Sequence, residues 1–306
     1  MNKILHHFLA LVVVAVWGVT FISTKVLIGA GLLPDQIFAI RFSIAYVGIW
    51  LISLMSADSR RLFCASLRDE AIMVFLGVSG GSFYFLTENT ALAYTQACNV
   101  AFIVCSAPLF TMLITLMCKR FFKGELIDGL QDIKAGWPLI LGTLLALGGM
   151  SMVVFSGMAL KLSPKGDILA LGAALCWGTY SIFMAQMTKK YGAVFATRKV
   201  FFYGLLTILP FMLKDGVPDF SVLGQPAVMW NLLFLGVMAS LVCFVVWNRV
   251  MSVLGNVTST NYVYLNPIFT LISSMIFLGE RMTLLAAIGS ALILVGVILP
   301  GIKNNQ

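Results

Sequence analysis

Runs of about twenty apolar residues, separated by short polar stretches, follow one another along the whole chain. Ten of them lie near 8–28, 36–57, 70–92, 95–118, 137–155, 166–187, 197–213, 228–250, 257–278 and 283–300. A helix rises about 1.5 Å per residue and the hydrocarbon core of a bilayer is about 30 Å thick, so each run is long enough to cross it. Helices also satisfy their backbone polar groups internally, which lipid requires. The pattern predicts an all-α integral membrane protein with ten transmembrane helices. The first run follows Lys3 and stays apolar through Ile28 with no small-x-small cleavage site before a polar flank, so it reads as a retained span. Even the longest connections, 119–136 and 214–227, are too short for a folded domain.

Composition agrees: 60% of the 306 residues are hydrophobic and 10% are charged, with a mean hydropathy of +0.99. The net charge of +8 follows topology. With both termini cytoplasmic, that side holds fourteen of the 20 Lys and Arg, and the far side holds Lys25, Lys161, Lys165, Lys214 and Arg281. Arg41 is left inside a span. This is the bias expected of cytoplasmic loops, so it calls for no nucleic acid or other anionic partner. Short loops without a transit or retention signal suit a bacterial inner membrane. Cys98, Cys105, Cys118, Cys176 and Cys243 fall in or beside spans and form no CxxC pair, so they read as free structural thiols. Neither a metal site nor a cofactor is expected.

The chain repeats itself at a shift of about 160 residues. Trp17-Gly18 matches Trp177-Gly178, Asn89 matches Asn248, and Pro108-Leu109-Phe110-Thr111 matches Pro267-Ile268-Phe269-Thr270. Gly124-Glu125 matches Gly279-Glu280 at a slightly smaller shift. The halves, 1–158 and 159–306, then hold five spans each. Five is odd, so the second half enters the membrane from the opposite face. Such inverted five-helix repeats around a central cavity are a recurrent architecture of secondary transporters. Duplication retained only for packing is the alternative. The WGxxF at 17–21, Arg41 near the start of the second run, the paired Pro-x-Phe-Thr steps and the final LGERMTLLAAIGSALILVGVIL resemble the EamA branch of the drug/metabolite transporter superfamily. That resemblance covers nearly the whole chain. It implies a ten-helix basket and, usually, export of small metabolites or amino acids.

Candidate chemistry lies where lipid-facing sequence would be apolar. Pro108 and Pro267 each deprive a carbonyl, that of Val104 or Val263, of its intrahelical donor in mid-span. Ser259, Tyr262, Asn266, Thr270 and Ser273 form a polar stripe on one helical face around the second break. They read as substrate contacts or as bonds between helices. Lys25, Arg41 and Glu88 fall at one depth near the outer side, and their ionised forms are costly there unless paired or wetted. Glu88 either titrates, coupling transport to a proton, or pairs permanently with Arg41 or Lys25 as a gate; an exchanged metabolite is the other coupling species. Trp17, Phe21, Trp177 and Tyr180 are wall candidates for a cavity taking a small-molecule substrate, or else packing residues. Small residues every four positions, Gly166, Ala170, Ala174 and Gly178, with Gly77 and Gly81, let helices approach closely.

Other function classes leave different marks. The only histidines are His6 and His7, and HExxH, a phosphate loop and paired carboxylates within spans are all missing, so an enzyme is not expected. A channel also needs a polar path, and a non-transporting membrane sensor needs an output. The repeat favours a carrier over both.

Overall fold

The computed structural model describes residues 3–55, 58–95, 97–121, 130, 137–155, 163–278 and 283–302. The Gly124-Glu125 and Gly279-Glu280 pairs, together with Lys123, Lys134, Lys161, Arg281 and Lys303, lie outside the described residues. What is described is helical. α1 (Lys3–Gly29) and α2 (Pro34–Ser53) come first, with Pro34 opening α2, where its missing N–H costs nothing. α3 (Leu67–Gly77) starts at Ser66, whose side chain accepts from Asp69 N, and places Asp69 and Glu70 in its first turn. A π-helical turn, Val78–Ser82, joins it to α4 (Phe83–Tyr94). α5 (Ala97–Val104), α6 (Ala107–Phe121) and α7 (Trp137–Phe155) complete the first half.

The second half opens with α8 (Pro164–Tyr191), capped by Ser163, and α9 (Ala193–Asp215). They are separated by Gly192, whose φ of +84° other residues rarely adopt. A short α10 (Phe220–Leu223) precedes α11 (Pro226–Leu233), the π-helical segment Phe234–Val242 and α12 (Cys243–Leu254). α13 (Asn256–Thr260), the 3-10 stretch Asn261–Leu265, α14 (Asn266–Leu278) and α15 (Leu284–Ile302) follow. Among the described residues, seven helical runs are long and apolar enough to cross a membrane: Lys3–Gly29, Pro34–Ser53, Leu67–Tyr94, Val100–Phe121, Pro164–Tyr191, Ala193–Asp215 and Pro226–Leu254. Within α7 and α15, Ile140–Met152 and Ala287–Gly296 are shorter apolar stretches.

Matching helices meet through matching glycines. A Cβ at Gly18 would lie 2.6 Å from Phe269 Cβ, and one at Gly178 would lie 2.8 Å from Phe110 Cβ. Each Trp-Gly step therefore receives the Pro-x-Phe-Thr step of the other half. Gly77 packs on Tyr203 and Gly236 on Ile44, a second such pair. α7 and α15 clasp one another through Gly149 and Gly296, each against the backbone of the other helix. Lipid gives apolar side chains little reason to associate, so close backbone contact supplies the cohesion.

A polar cluster ties the segment 61–70 to α8 and α9. Glu70 pairs with Lys199 and accepts from Tyr203 OH and from Cys64 N, while Lys190 Nζ meets Asp69 at 2.7 Å. Lys199 and Arg198 also donate to the carbonyls of Leu62 and Arg61. Two halves of the chain are thus bonded together at this end of the bundle.

Against the ten membrane-length runs expected from the sequence, seven are found among the described residues, and two of the seven depart from plain α-helix in the π form. The stretches 70–92 and 228–250 read as uninterrupted α-helix, yet each contains a π-helical segment. In the first, Gly81 leaves helical dihedrals (φ −112°, ψ −107°) where Gly204 Cα comes within 3.2 Å of the position a Cβ would take. Close approach to a helix far along the chain is not a property of the local pattern.

Candidate functional site

A partly open cavity lies where the helices of the two halves cross. α1 contributes Trp17, Thr20 and Phe21, spaced three and four apart on one face. α2 contributes Arg41, α4 contributes Tyr84, Phe85 and Glu88, α8 contributes Trp177 and α12 contributes Phe244. The rest of the lining comes from the two helix breaks: Val104 at the end of α5, Val263 in the 3-10 stretch and Asn266 at the start of α14. Val104 and Val263 carry the carbonyls from which Pro108 and Pro267 withhold a donor. The chain answers each proline by ending one helix and starting another, at the Cys105–Ser106 turn and through Asn261–Leu265. Val263 O recovers the Asn266 N–H and the Cys105 thiol, 3.3 Å away, which joins the two breaks.

The wall is aromatic and interlocked. Trp17 and Trp177 meet edge to face with centroids 5.2 Å apart, while Tyr84 and Trp177 at 5.2 Å, and Trp17 and Trp247 at 5.0 Å, are tilted pairs. Such pairs add to their burial by favouring fixed geometries. Two opposite charges interrupt this wall. The Arg41 guanidinium carbon stands 4.5 Å from the Phe85 centroid, and Arg41 Nε donates to Ser240 Oγ at 3.0 Å. Glu88 Oε1 accepts from Tyr84 OH at 2.8 Å. Among the described residues, Arg41 and Glu88 form no direct ion pair, so both face the same space separately. Arg41 is 2% and Glu88 7% exposed, so a charge on either is held largely by its neighbours.

Two further polar atoms in the lining have no hydrogen-bond partner among the described residues: Trp177 Nε1 and Asn266 Oδ1. Trp17 occupies the matching place in the first half, yet its Nε1 donates to Ala239 O at 3.0 Å. A buried donor and a buried acceptor left open on one wall are what a polar solute would satisfy.

The other sequence candidates lie elsewhere. Lys25 does not share the cavity; its Nζ donates to Thr95 O at 3.0 Å. The polar stripe also divides. Thr270 Oγ1 donates to Gly18 O at 2.9 Å, Tyr262 OH bonds His7 Nδ1 at 2.6 Å, and Ser273 Oγ donates to Phe269 O at 2.7 Å. Buried Ser259 Oγ has no hydrogen-bond partner among the described residues, and Asn266 alone of the stripe reaches the lining. The 3-10 stretch turns the helix between these positions, so constant α-helical spacing does not keep them on one face. Tyr180 is buried outside the lining and donates to Asn248 Oδ1 at 2.8 Å. Pro108 and Pro267 shape the cavity through the valines four residues before them. Sequence reading missed Thr20, Tyr84, Phe85 and Phe244. Tyr84 was accessible through its i, i+4 spacing to Glu88, whereas nothing local marks Phe244.

Membrane-length helices surrounding an amphipathic cavity define this protein as an integral membrane transporter. The chain belongs to the EamA-like transporter family, whose sequence model matches residues 4–155 and again 164–301. An uncharacterized transporter of Archaeoglobus fulgidus is 27% identical over the full length of both chains. The probable terminal-alkyne amino-acid exporter of Streptantibioticus cattleyicolor is 25% identical over 76% of this chain and 73% of its own. The probable amino-acid metabolite efflux pump of Escherichia coli is 25% identical over 94% of this chain and 92% of its own. A crystal structure of another protein matches with a TM-score of 0.69 over 98% of this chain and 96% of that one, at 19% identity, a likeness of fold.

Proposed function

We propose that the chain exports small zwitterionic solutes of the amino-acid type by alternating access. The cavity carries this reading: Arg41 and Glu88, one cation and one anion, stand apart among aromatic side chains in a partly open cavity. An α-amino acid brings a carboxylate and an ammonium group on one carbon. The carboxylate meets Arg41, the ammonium meets Glu88 and the ring faces, and an apolar side chain rests on Phe21, Trp17 and Phe244. Trp177 Nε1 and Asn266 Oδ1 supply the remaining donor and acceptor. A cavity with balanced charges accepts a zwitterion without importing net charge into the membrane. The relatives named as amino-acid exporters agree in substrate class.

Ten spans in two inverted repeats, 1–158 and 159–306, complete the reading. Its support is the exchanged contact of each Trp-Gly step with the other half's Pro-x-Phe-Thr step. Halves built alike can exchange conformations and open the cavity to either side in turn. The Lys and Arg bias supports cytoplasmic termini, and the short loops suit a bacterial inner membrane. Glu88, lacking a fixed ion pair in the described structure, also serves as the group that couples transport to a proton.

Counterflow in proteoliposomes tests this function. Preloaded leucine, phenylalanine or threonine should accelerate uptake of the same labelled amino acid, and Asn266→Ala should slow that exchange. Currents too large for a carrier would instead identify a channel, and absence of exchange for a broad amino-acid panel would remove the proposed substrate class.

A further inference from the structure

The π-helical segment Phe234–Val242 is not itself part of the cavity lining, yet two adjacent residues in it hold two residues that are. Ala239 O accepts from Trp17 Nε1 at 3.0 Å, and Ser240 Oγ accepts from Arg41 Nε at 3.0 Å. Ser240 and Ala239 are both fully buried. Among the described residues, Ser240 is the one hydrogen-bond partner of Arg41, which leaves its terminal guanidinium nitrogens without a protein acceptor. The group lies over the Phe85 ring, its carbon 4.5 Å from the centroid, and the Nε bond holds its inner edge. A guanidinium fixed at both points presents its outer nitrogens as a preset fork for a carboxylate.

The other half has no equivalent device. At the matching shift of about 160, Ser240 corresponds to Gly81 and Arg41 to Val200. The π turn Val78–Ser82 instead lies against Tyr180 and Gly204, and its Ser82 bonds Thr207 at 2.7 Å. Widening a helix to the π form displaces carbonyls from their usual donors and re-aims side chains, a feature that recurs at functional sites. Only the second copy directs these changes at the cavity.

We propose that Ser240 is a positioning residue for the anion-binding end of the cavity: it holds Arg41 so that the guanidinium receives the carboxylate of the transported solute. This rests on the amino-acid reading above. The neighbouring Ala239 carbonyl fixes the Trp17 wall in the same register.

The test compares L-phenylalanine with phenethylamine, the same molecule without its carboxylate, in binding to purified protein and counterflow in proteoliposomes. In Ser240→Ala, the dissociation constant and KM for phenylalanine should rise about tenfold while those for phenethylamine stay within twofold, with the maximal rate preserved. Val242→Ala, which trims a lipid-exposed residue of the same π segment, should leave the ratio between the two solutes at its parent value. A merely structural Ser240 would weaken both solutes together, or lower the maximal rate alone; either result overturns the assignment. If the parent holds phenylalanine no better than phenethylamine, Arg41 receives no carboxylate and the proposal falls. If the parent binds neither, the amino-acid reading of the cavity falls first, a failure separable from that of Ser240.

Discussion

At the scale of single residues, identical sequence contexts lead to different chemistry. Trp17 and Trp177 each precede glycine, each lines the cavity and they meet edge to face, but among the described residues only Trp17 has a carbonyl for its indole N–H. Trp177→Phe keeps most of the ring and removes the open donor, so solute affinity in counterflow should fall about fivefold with little change in thermal stability. The same deletion in Trp17 removes its bond to the Ala239 carbonyl and should lower the melting temperature as well. Outside the spans, Cys64 belongs to the polar cluster. Burial, and then Glu70, pushes its thiol up to about 12. Thiolate is the reactive form, so maleimide labelling of Cys64 should stay slow between pH 7 and 9 and accelerate in Glu70→Gln. Labelling at the rate of an exposed cysteine would contradict that environment.

Helices meet at contacts that a single methylene can disturb. Gly178 faces Phe110 and the backbone of Thr111, 3.0 Å from where a Cβ would stand. Leucine there must push α8 away from α6, and overpacking of this kind costs ~1–3 kcal/mol. Gly178→Leu should therefore lower the melting temperature in detergent by several degrees, while a lipid-facing change such as Leu171→Ala should not. Glu70 presents the opposite case, loss rather than excess. Removing it leaves Lys199 buried against apolar rings without its ion pair, a situation that costs ~3–5 kcal/mol for a fully buried pair and less here, because Glu70 is partly exposed. Glu70→Ala should be less stable than Glu70→Ala combined with Lys199→Met, measured by thermal unfolding.

Over the whole molecule, one acid and one base share a cavity assembled from both halves. Glu88→Gln tests whether that acid couples transport to a proton. The variant should still exchange phenylalanine in counterflow, at a raised KM because the ammonium loses its anionic partner, yet lose the dependence of net efflux on an imposed pH gradient. Retained dependence would mean that another group carries the proton or that transport is exchange alone.

Much of this was legible in the sequence because its causes are local. A run of twenty apolar residues must form a helix in lipid, and a proline within it removes one backbone hydrogen bond. Repetition at a constant shift also survives in the chain without knowledge of its folding. The helices, the two breaks, the small-residue contacts and the family follow from those facts. The cavity did not. Whether Thr270 meets a solute or Gly18 O depends on a residue 252 positions away, and the acceptor for Trp17 lies 222 positions away. The π segment that supplies the Trp17 and Arg41 contacts lies where helices from different halves approach. Periodicity names the polar atoms within the membrane, but only tertiary packing decides which of them find protein partners and which remain open to a solute.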